Sequence, residues 1–227
     1  MRVLRDKIII ESHMSKFDSG AESWDIPRRI KLAEDIAGAI TREIPLASSM
    51  NVLDFGCGTG LVSLAILKHV HSVTCIDTSK GMIDALESKI LEQGIANIKT
   101  LCIDFLSEET ISENAFNLVM TSMAMHHIHD IESYIQKFHA SLAPGGYVAI
   151  ADLDEEGGMF HGDNEDVFHP GFSRESLKDI LSGFGFTELN DTTAVTVTRP
   201  DRTGTARSFS IFLITGRKAS GWNTPVM

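Results

Sequence analysis

Short β-branched, apolar runs alternate with longer amphipathic stretches along this chain. Met50–Phe55, Ser72–Ile76, Ile98–Ile103, Phe116–Thr121 and Gly146–Leu153 read as strands bounded by turn residues. Between them Gly60–Val70, Met82–Leu91 and Ile131–Leu142 read as helices, and Asp77-Thr78-Ser79 offers a cap for the second. Upstream, Ile30, Ala33, Ile36, Ala37, Ile40 and Ile44 recur at helical spacing, and Pro27 suits the start of that helix. Strand–helix alternation of this kind predicts a parallel α/β sheet. The turn Pro144-Gly145 precedes the fifth strand.

The character changes after Leu153. Asp154–Pro170 is polar, acidic and rich in Gly and His, has no periodicity and is long for a loop, which marks it as functional or mobile. Ser173–Leu181 restores a helix. Phe186–Leu189, Ala194–Val197 and Ser208–Ile214 read as strands, the last two divided by Pro200, Asp201 and Gly204. Five β-α units are thus followed by an antiparallel tail. Residues 1–49 read as a helical cover belonging to the same domain as the main body, residues 50–227.

Composition narrows the classes of function. With 227 residues, 43% of them hydrophobic, the chain can bury its own core without disulfide or metal. Disorder as the dominant state is excluded, and no apolar stretch is long enough to span a membrane. The segment Met1–Glu11 has a basic start, but its apolar run is too short for a signal peptide. The net charge of -11, from 31 acids against 20 bases, disfavours nucleic acid and anionic membrane as partners. Cys57, Cys75 and Cys102 are odd in number, lie in or beside apolar runs and show no zinc spacing, so the chain reads as reduced and cytoplasmic.

The segment Val52-Leu53-Asp54-Phe55-Gly56-Cys57-Gly58-Thr59-Gly60 joins the first strand to the first following helix. Glycines let such a loop approach a ligand closely, and ligands of open α/β sheets bind at strand carboxyl ends near the topological switch point. Leu61 stands where a dinucleotide fingerprint needs its third glycine, and no Gly-Lys-Ser/Thr of a phosphate loop is present. Asp54 suits a ligand carrying a positive amine, not a pyrophosphate.

Here the sequence resembles the class I S-adenosylmethionine-dependent methyltransferases of small-molecule type, over about Met50 to Leu153. Leu53–Gly60 matches that family's first motif. The resemblance implies that Asp54, Gly56, Cys57, Gly58 and Gly60 bind the donor. It implies that Asp77 holds the ribose hydroxyls, with Thr78 following and Met82 near the adenine. It further implies that Asp104-Phe105 meets the adenine amine and that Ser122-Met123, in Thr121–Met125, lies beside the methionine moiety. Leu142-Ala143-Pro144-Gly145-Gly146 matches the turn before the fifth strand. The implied fold is a Rossmann-like three-layer α/β sandwich with a seven-stranded, mostly parallel sheet in order 3-2-1-4-5-7-6, strand seven antiparallel. The implied cofactor is S-adenosyl-L-methionine, with S-adenosyl-L-homocysteine as product. A binding-only sensor or scaffold for the same compounds is the rival class, and a nicotinamide-dependent oxidoreductase a weaker one.

Three segments are candidates for the acceptor side. In Met125-His126-His127-Ile128-His129-Asp130, His126 and His127 are the candidate catalytic bases; an extended backbone would prevent both from facing one cleft. His129 with Asp130 reads as the next helix start. In Phe17–Asp25, Phe17 and Trp24 offer an aromatic wall for a sulfonium or an acceptor, and Arg28 and Arg29 follow. In Gly157–Phe172, His161 and His169 with interleaved aromatics suit an acceptor wall. His161, Asp163 and His169 match no metal motif, so no metal is expected. Absence of Asn/Asp-Pro-Pro-Tyr after the fourth strand, of a Pro-Cys nucleophile and of a basic surface argues against amino-methylating, cytosine-C5 and RNA-directed enzymes. A small-molecule acceptor is the expectation.

Overall fold

The structure is a computed structural model that describes residues 17–106, 111–161 and 166–220. The start of the chain, Met1–Glu11, and Asp163 lie outside the described residues. Seven strands form one sheet: β1 (Asn51–Phe55), β2 (Ser72–Asp77), β3 (Ile98–Cys102), β4 (Phe116–Ser122), β5 (Leu142–Leu153), β6 (Phe186–Pro200) and β7 (Ala206–Lys218). Their order is β3-β2-β1-β4-β5-β7-β6. The first five strands pair in parallel, and β7 runs antiparallel to both β5 and β6. This is the order and sense the resemblance implies.

The helices are α1 (Pro27–Glu43), α2 (Leu61–Ile66), α3 (Lys80–Gln93), α4 (Ile131–Ser141) and α5 (Arg174–Gly183). Alternate strand residues divide the apolar core between two faces. Val52, Val73, Leu118, Ala149 and Leu213 pack with Ile36 and Ile40 of α1, Ile66 of α2 and Leu86 of α3. Leu53, Ile76, Val119, Val148 and Phe212 pack with Phe138 of α4 and Leu181 of α5. Three layers result, because the central strands are apolar on both faces and need cover on both.

Several boundaries differ from the periodicity reading, each for a local reason. The stretch Gly60–Val70 is not one helix: α2 ends at Ile66 and continues as a 3-10 turn, Leu67–His69. The residues read as two strands, Phe186–Leu189 and Ala194–Val197, form the single strand β6. Its ladder slips between Thr187 and Asn190 and between Thr193 and Val195, and Glu188 takes a φ of 52°. Those bulges put polar residues where an uninterrupted ladder would alternate. The Pro144-Gly145 turn lies inside β5. Phe116 pairs with Leu142 and Leu118 with Tyr147, so the turn residues bulge out of the strand.

Candidate active site

The glycine loop leaves β1 and is bonded to β2. The backbone N–H groups of Gly56 and Cys57 both donate to the Ile76 carbonyl, at 2.9 and 3.0 Å. Asp77, the last residue of β2, accepts from Gly58 N at 2.8 Å on one oxygen and from Ser79 N at 2.9 Å on the other. Each carboxylate oxygen has a second lone pair, so two vicinal hydroxyls still find acceptors. Burial raises the Asp77 pKa, and the N–H donors of Ser79 and Gly58 work against that rise. Gly56 has a φ of 66°, and a Cβ built there would stand 2.5 Å from Ala124 Cβ. The loop thus lies directly against the segment that follows β4.

Asp54 sits beneath the loop and is almost wholly buried. Its Oδ2 accepts from Ser63 Oγ at 2.6 Å, and burial, opposed by the Ser63 bond, lifts its pKa to about 7. The thiol of Cys57 is pushed well above the ordinary range by its neighbour Cys75 and by burial, which suits packing and not nucleophilic attack. Thr78 is exposed and Met82 buried, with its sulfur 4.0 Å from a Cβ built on Gly58. Asp104 is exposed, and its Oδ1 accepts from Leu106 N at 3.1 Å. Phe105 departs from expectation. Its ring is buried among Phe55, Tyr134 and Phe138, in the core and not on the cleft. Ser122 ends β4, and Met123 takes a φ of 56° while its N–H donates to Ala151 O at 2.8 Å. A non-glycine residue held there is the kind of backbone outlier that clusters at functional sites.

Met125–His127 is a 3-10 turn and not an extended run. His126 and His127 therefore face the same place, with ring centroids 4.1 Å apart. His161, from the loop after β5, joins them at 5.0 Å from His126 and 5.8 Å from His127. His126 is buried, and its Nδ1 lies 2.7 Å from Oδ1 of the fully buried Asp152. His127 Nδ1 bonds the Asp166 carbonyl. Burial, then the neighbouring His126, lowers the His127 pKa to about 4. A ring so weakly basic is neutral at pH 7 and holds a proton poorly, which corrects the reading of His127 as a general base. His169 does not join the cluster: its ring lies against Phe172, though its N–H donates to the His126 carbonyl at 3.2 Å. Asp130 caps α4, as the sequence suggests.

The N-terminal segment ties the start of α3 to the turn after β4. Asp18 Oδ1 accepts from Ser79 Oγ at 2.6 Å and from Gly81 N at 2.8 Å, at the start of α3. Asp25 accepts from Thr59 Oγ1 at 2.5 Å and from Lys89 Nζ at 2.7 Å. Next to Asp18, the Phe17 ring stands edge-on to His127 at 5.4 Å and to Trp24 at 5.7 Å. Arg29 covers Trp24 at 3.7 Å, and Arg199 covers Phe160, the neighbour of His161, at 4.5 Å. Arg29 and Arg199 both have pKa values lowered, first by burial and then by the charge of Arg28. Sequence reasoning missed Asp18, Asp25, Asp152 and Arg199. Asp152 alone carried a signal, a charge inside the apolar run Ala-Ile-Ala-Asp-Leu.

The strand order and the glycine loop facing an acidic β2 end define the class: a class I S-adenosylmethionine-dependent methyltransferase architecture. The profile of the methyltransferase-domain family matches residues 28–190, and the chain belongs to that family. It is similar to an uncharacterised methyltransferase of Schizosaccharomyces pombe, 28% identical over 195 residues, 76% of this chain and 68% of the relative. It is similar also to a ubiquinone biosynthesis O-methyltransferase of Coxiella burnetii, 28% identical over 157 residues, 66% of this chain and 65% of the relative. The chain thus spans about two thirds of the length of these relatives. A solved S-adenosylmethionine-dependent methyltransferase from Aquifex aeolicus shares the fold with a TM-score of 0.66 at 18% identity, covering 89% of this chain and 98% of that one. The cofactor is S-adenosylmethionine.

Proposed function

We propose that this methyltransferase moves the sulfonium methyl of S-adenosylmethionine to a small-molecule acceptor seated against His126, His127 and His161. The observation that carries this reading is the bridge made by the N-terminal segment. Asp18 is bonded to the donor side at Ser79 and Gly81, while the adjacent Phe17 ring meets His127. Donor and acceptor are then held face to face beneath one aromatic cover. Such positioning supplies most of the rate of an in-line methyl displacement.

In this reading Asp77 accepts the ribose hydroxyls and Asp104 the adenine amine. Met82 and Thr78 flank the adenosyl group, and Ser122 and Met123 border the methionine moiety. Gly56, Cys57, Gly58 and Gly60 give the backbone wall, and Asp54 beneath them favours the positive amine. Phe105 acts through its backbone position alone. Phe17 and Trp24 wall the acceptor, His126 and His127 offer it ring nitrogens, and His161 closes the opposite side. His169 supports the turn from behind. The arginines on Trp24 and Phe160 make this rim positive on a chain of net charge -11, which fits an acceptor carrying an anionic group. Residues 17–49 and 50–220 form one domain, since α1 shares its core with the sheet. Free thiols at Cys57, Cys75 and Cys102 support a cytoplasmic setting. Among the described residues no helix is long and apolar enough to cross a membrane.

Calorimetric titration with S-adenosylmethionine, S-adenosylhomocysteine and NAD tests the donor assignment. The adenosyl compounds bind and NAD does not. Asp77→Ala weakens adenosyl binding by at least about tenfold, the scale of one lost charge-assisted hydrogen bond. Unchanged affinity in that variant removes Asp77 from the site. Release of S-adenosylhomocysteine with small anionic acceptors separates an enzyme from a sensor.

A further inference from the structure

We infer that His126, His127 and His161 form a binding site for one divalent transition-metal ion of the zinc type. The three side chains come from two loops, the turn after β4 and the loop after β5. Among the described residues they are the one group of three or more His, Cys, Asp or Glu able to hold a metal, with ligand atoms all within 4.8 Å of one another. A tetrahedral zinc holds ring nitrogens at about 2.0–2.1 Å, hence roughly 3.3 Å apart. Side-chain rotations of about 1 Å close the set around an ion of that size.

The outer shell is what separates this cluster from three rings that merely pack. A metal-bound histidine almost always hands its other ring nitrogen to a carboxylate, a carbonyl or water. His126 does so to the Asp152 carboxylate at 2.7 Å, and His127 to the Asp166 carbonyl. With the proton on Nδ1 in both bonds, Nε2 is the nitrogen through which each ring would ligate an ion. The Asp152 carboxyl that orients His126 is itself fully buried, so it is held in place by its surroundings. The third ligand is held by a braced backbone: Glu156 accepts from the N–H groups of Gly158, Met159 and Phe160, directly before His161. An all-imidazole donor set suits zinc, iron, copper or nickel rather than magnesium or calcium.

Three protein ligands leave a coordination position open, which distinguishes a catalytic metal from a structural one. A role for that position rests on the methyl-transfer reading above. A hydroxyl acceptor bound there loses its proton to solvent more readily, as a metal-bound water does. The resulting oxyanion attacks the methyl carbon, the O–C bond forms as the S–C bond breaks, and S-adenosylhomocysteine departs neutral at sulfur. No oxidant or reductant enters.

The test uses the whole chain, stripped with a chelator and dialysed. Zinc chloride is titrated by calorimetry, and Co²⁺ is followed by its visible absorption, which is strong only in a low-coordinate site. The expected result is one ion per chain with intense cobalt bands. His127→Ala and His161→Ala each weaken binding at least about tenfold and abolish the bands, and Asp152→Asn weakens it by about 10–100-fold. His129→Ala, on the exposed side of the turn, binds as the unaltered protein does. S-adenosylhomocysteine titration of every variant checks that the fold persists. Equal zinc affinity in His127→Ala, His161→Ala and His129→Ala overturns the site, as does the absence of stoichiometric binding. Loss of adenosyl binding in the unaltered chain with zinc binding intact overturns the methyl-transfer reading instead.

Discussion

Replacing Asp54 by Asn separates what the site needs from what the fold needs. Asp54 is buried beneath the glycine loop, with its pKa lifted from 3.8 to about 7, by burial first, against the Ser63 hydrogen bond. Between pH about 4 and about 7 the folded chain therefore keeps a proton that the unfolded chain has released. Stability falls as pH rises through that window. The penalty is absent below the unfolded pKa and fully present above the folded one. A displacement of about three pH units at 1.36 kcal/mol each sets a ceiling of about 4 kcal/mol. An Asn keeps an oxygen for Ser63 and never pays this penalty, at a cost of about 1 kcal/mol for exchanging one hydrogen bond. The apo Asp54→Asn variant should therefore melt higher than the unaltered chain at pH 8 by several degrees. The ceiling is roughly 8–15 °C, at about 2–4 °C per kcal/mol for a domain this size. The two melting points should converge toward pH 4. Its affinity for the cationic donor should fall, because the buried charge then no longer faces the amine. Scanning calorimetry of both proteins from pH 4 to 8, with donor titrations at pH 8, reads both effects. A melting difference that stays flat with pH would falsify the claim that Asp54 carries a strained charge.

Two further outcomes follow from the geometry. Gly56→Ala should lower the melting temperature by roughly 5–15 °C, because the left-handed backbone costs about 1–2 kcal/mol and the methyl overlaps Ala124 for about 1–3 more. Gly58→Ala has the same backbone strain but only the Met82 sulfur at 4.0 Å, so its loss should be visibly smaller; equal losses would mean the Ala124 contact relaxes freely. Arg199→Met keeps an apolar stem at this position and removes the charged guanidinium from over Phe160, so KM for an anionic acceptor should rise about fivefold or more with kcat and donor affinity unchanged. A fall in kcat alone would place Arg199 outside acceptor binding.

Most of the fold was legible because the central strands are buried on both faces. Continuous apolar runs such as Val52-Leu53 and Leu118–Met120 admit few other readings. The sheet edge was less legible. β6 pairs on one side only, so much of it faces solvent, and its Glu-Leu-Asn-Asp-Thr-Thr stretch resembles a break between strands when it is a bulged continuation of one. Periodicity carries no term for a bulge, and a single extra residue reverses the apparent alternation. The same blindness put the start of β5 after Gly145 instead of at Leu142.

The meeting of the glycine loop with Asp77 was readable and the histidine cluster was not, and chain distance explains the difference. Gly56, Gly58 and Asp77 lie at the ends of adjacent parallel strands, so a local motif and the strand order together place them. The histidine cluster depends on events that no local pattern records. A 3-10 turn in place of an extended run swings His126 and His127 to one side, and a loop after the next strand delivers His161. Linear spacing joins His161 to His169 in one histidine-rich loop, whereas the fold pairs it with residues some 35 positions earlier. The sequence did mark the spot in one way. Asp152 is a carboxylate inside an otherwise apolar strand, and a buried charge persists only with a partner. β5 runs parallel beside β4, with Ser122 opposite Ala151, so Asp152 lies just beyond the end of β4, where His126 is. A charged residue at the carboxyl end of a central strand is therefore a pointer across the sheet to its neighbour's loop.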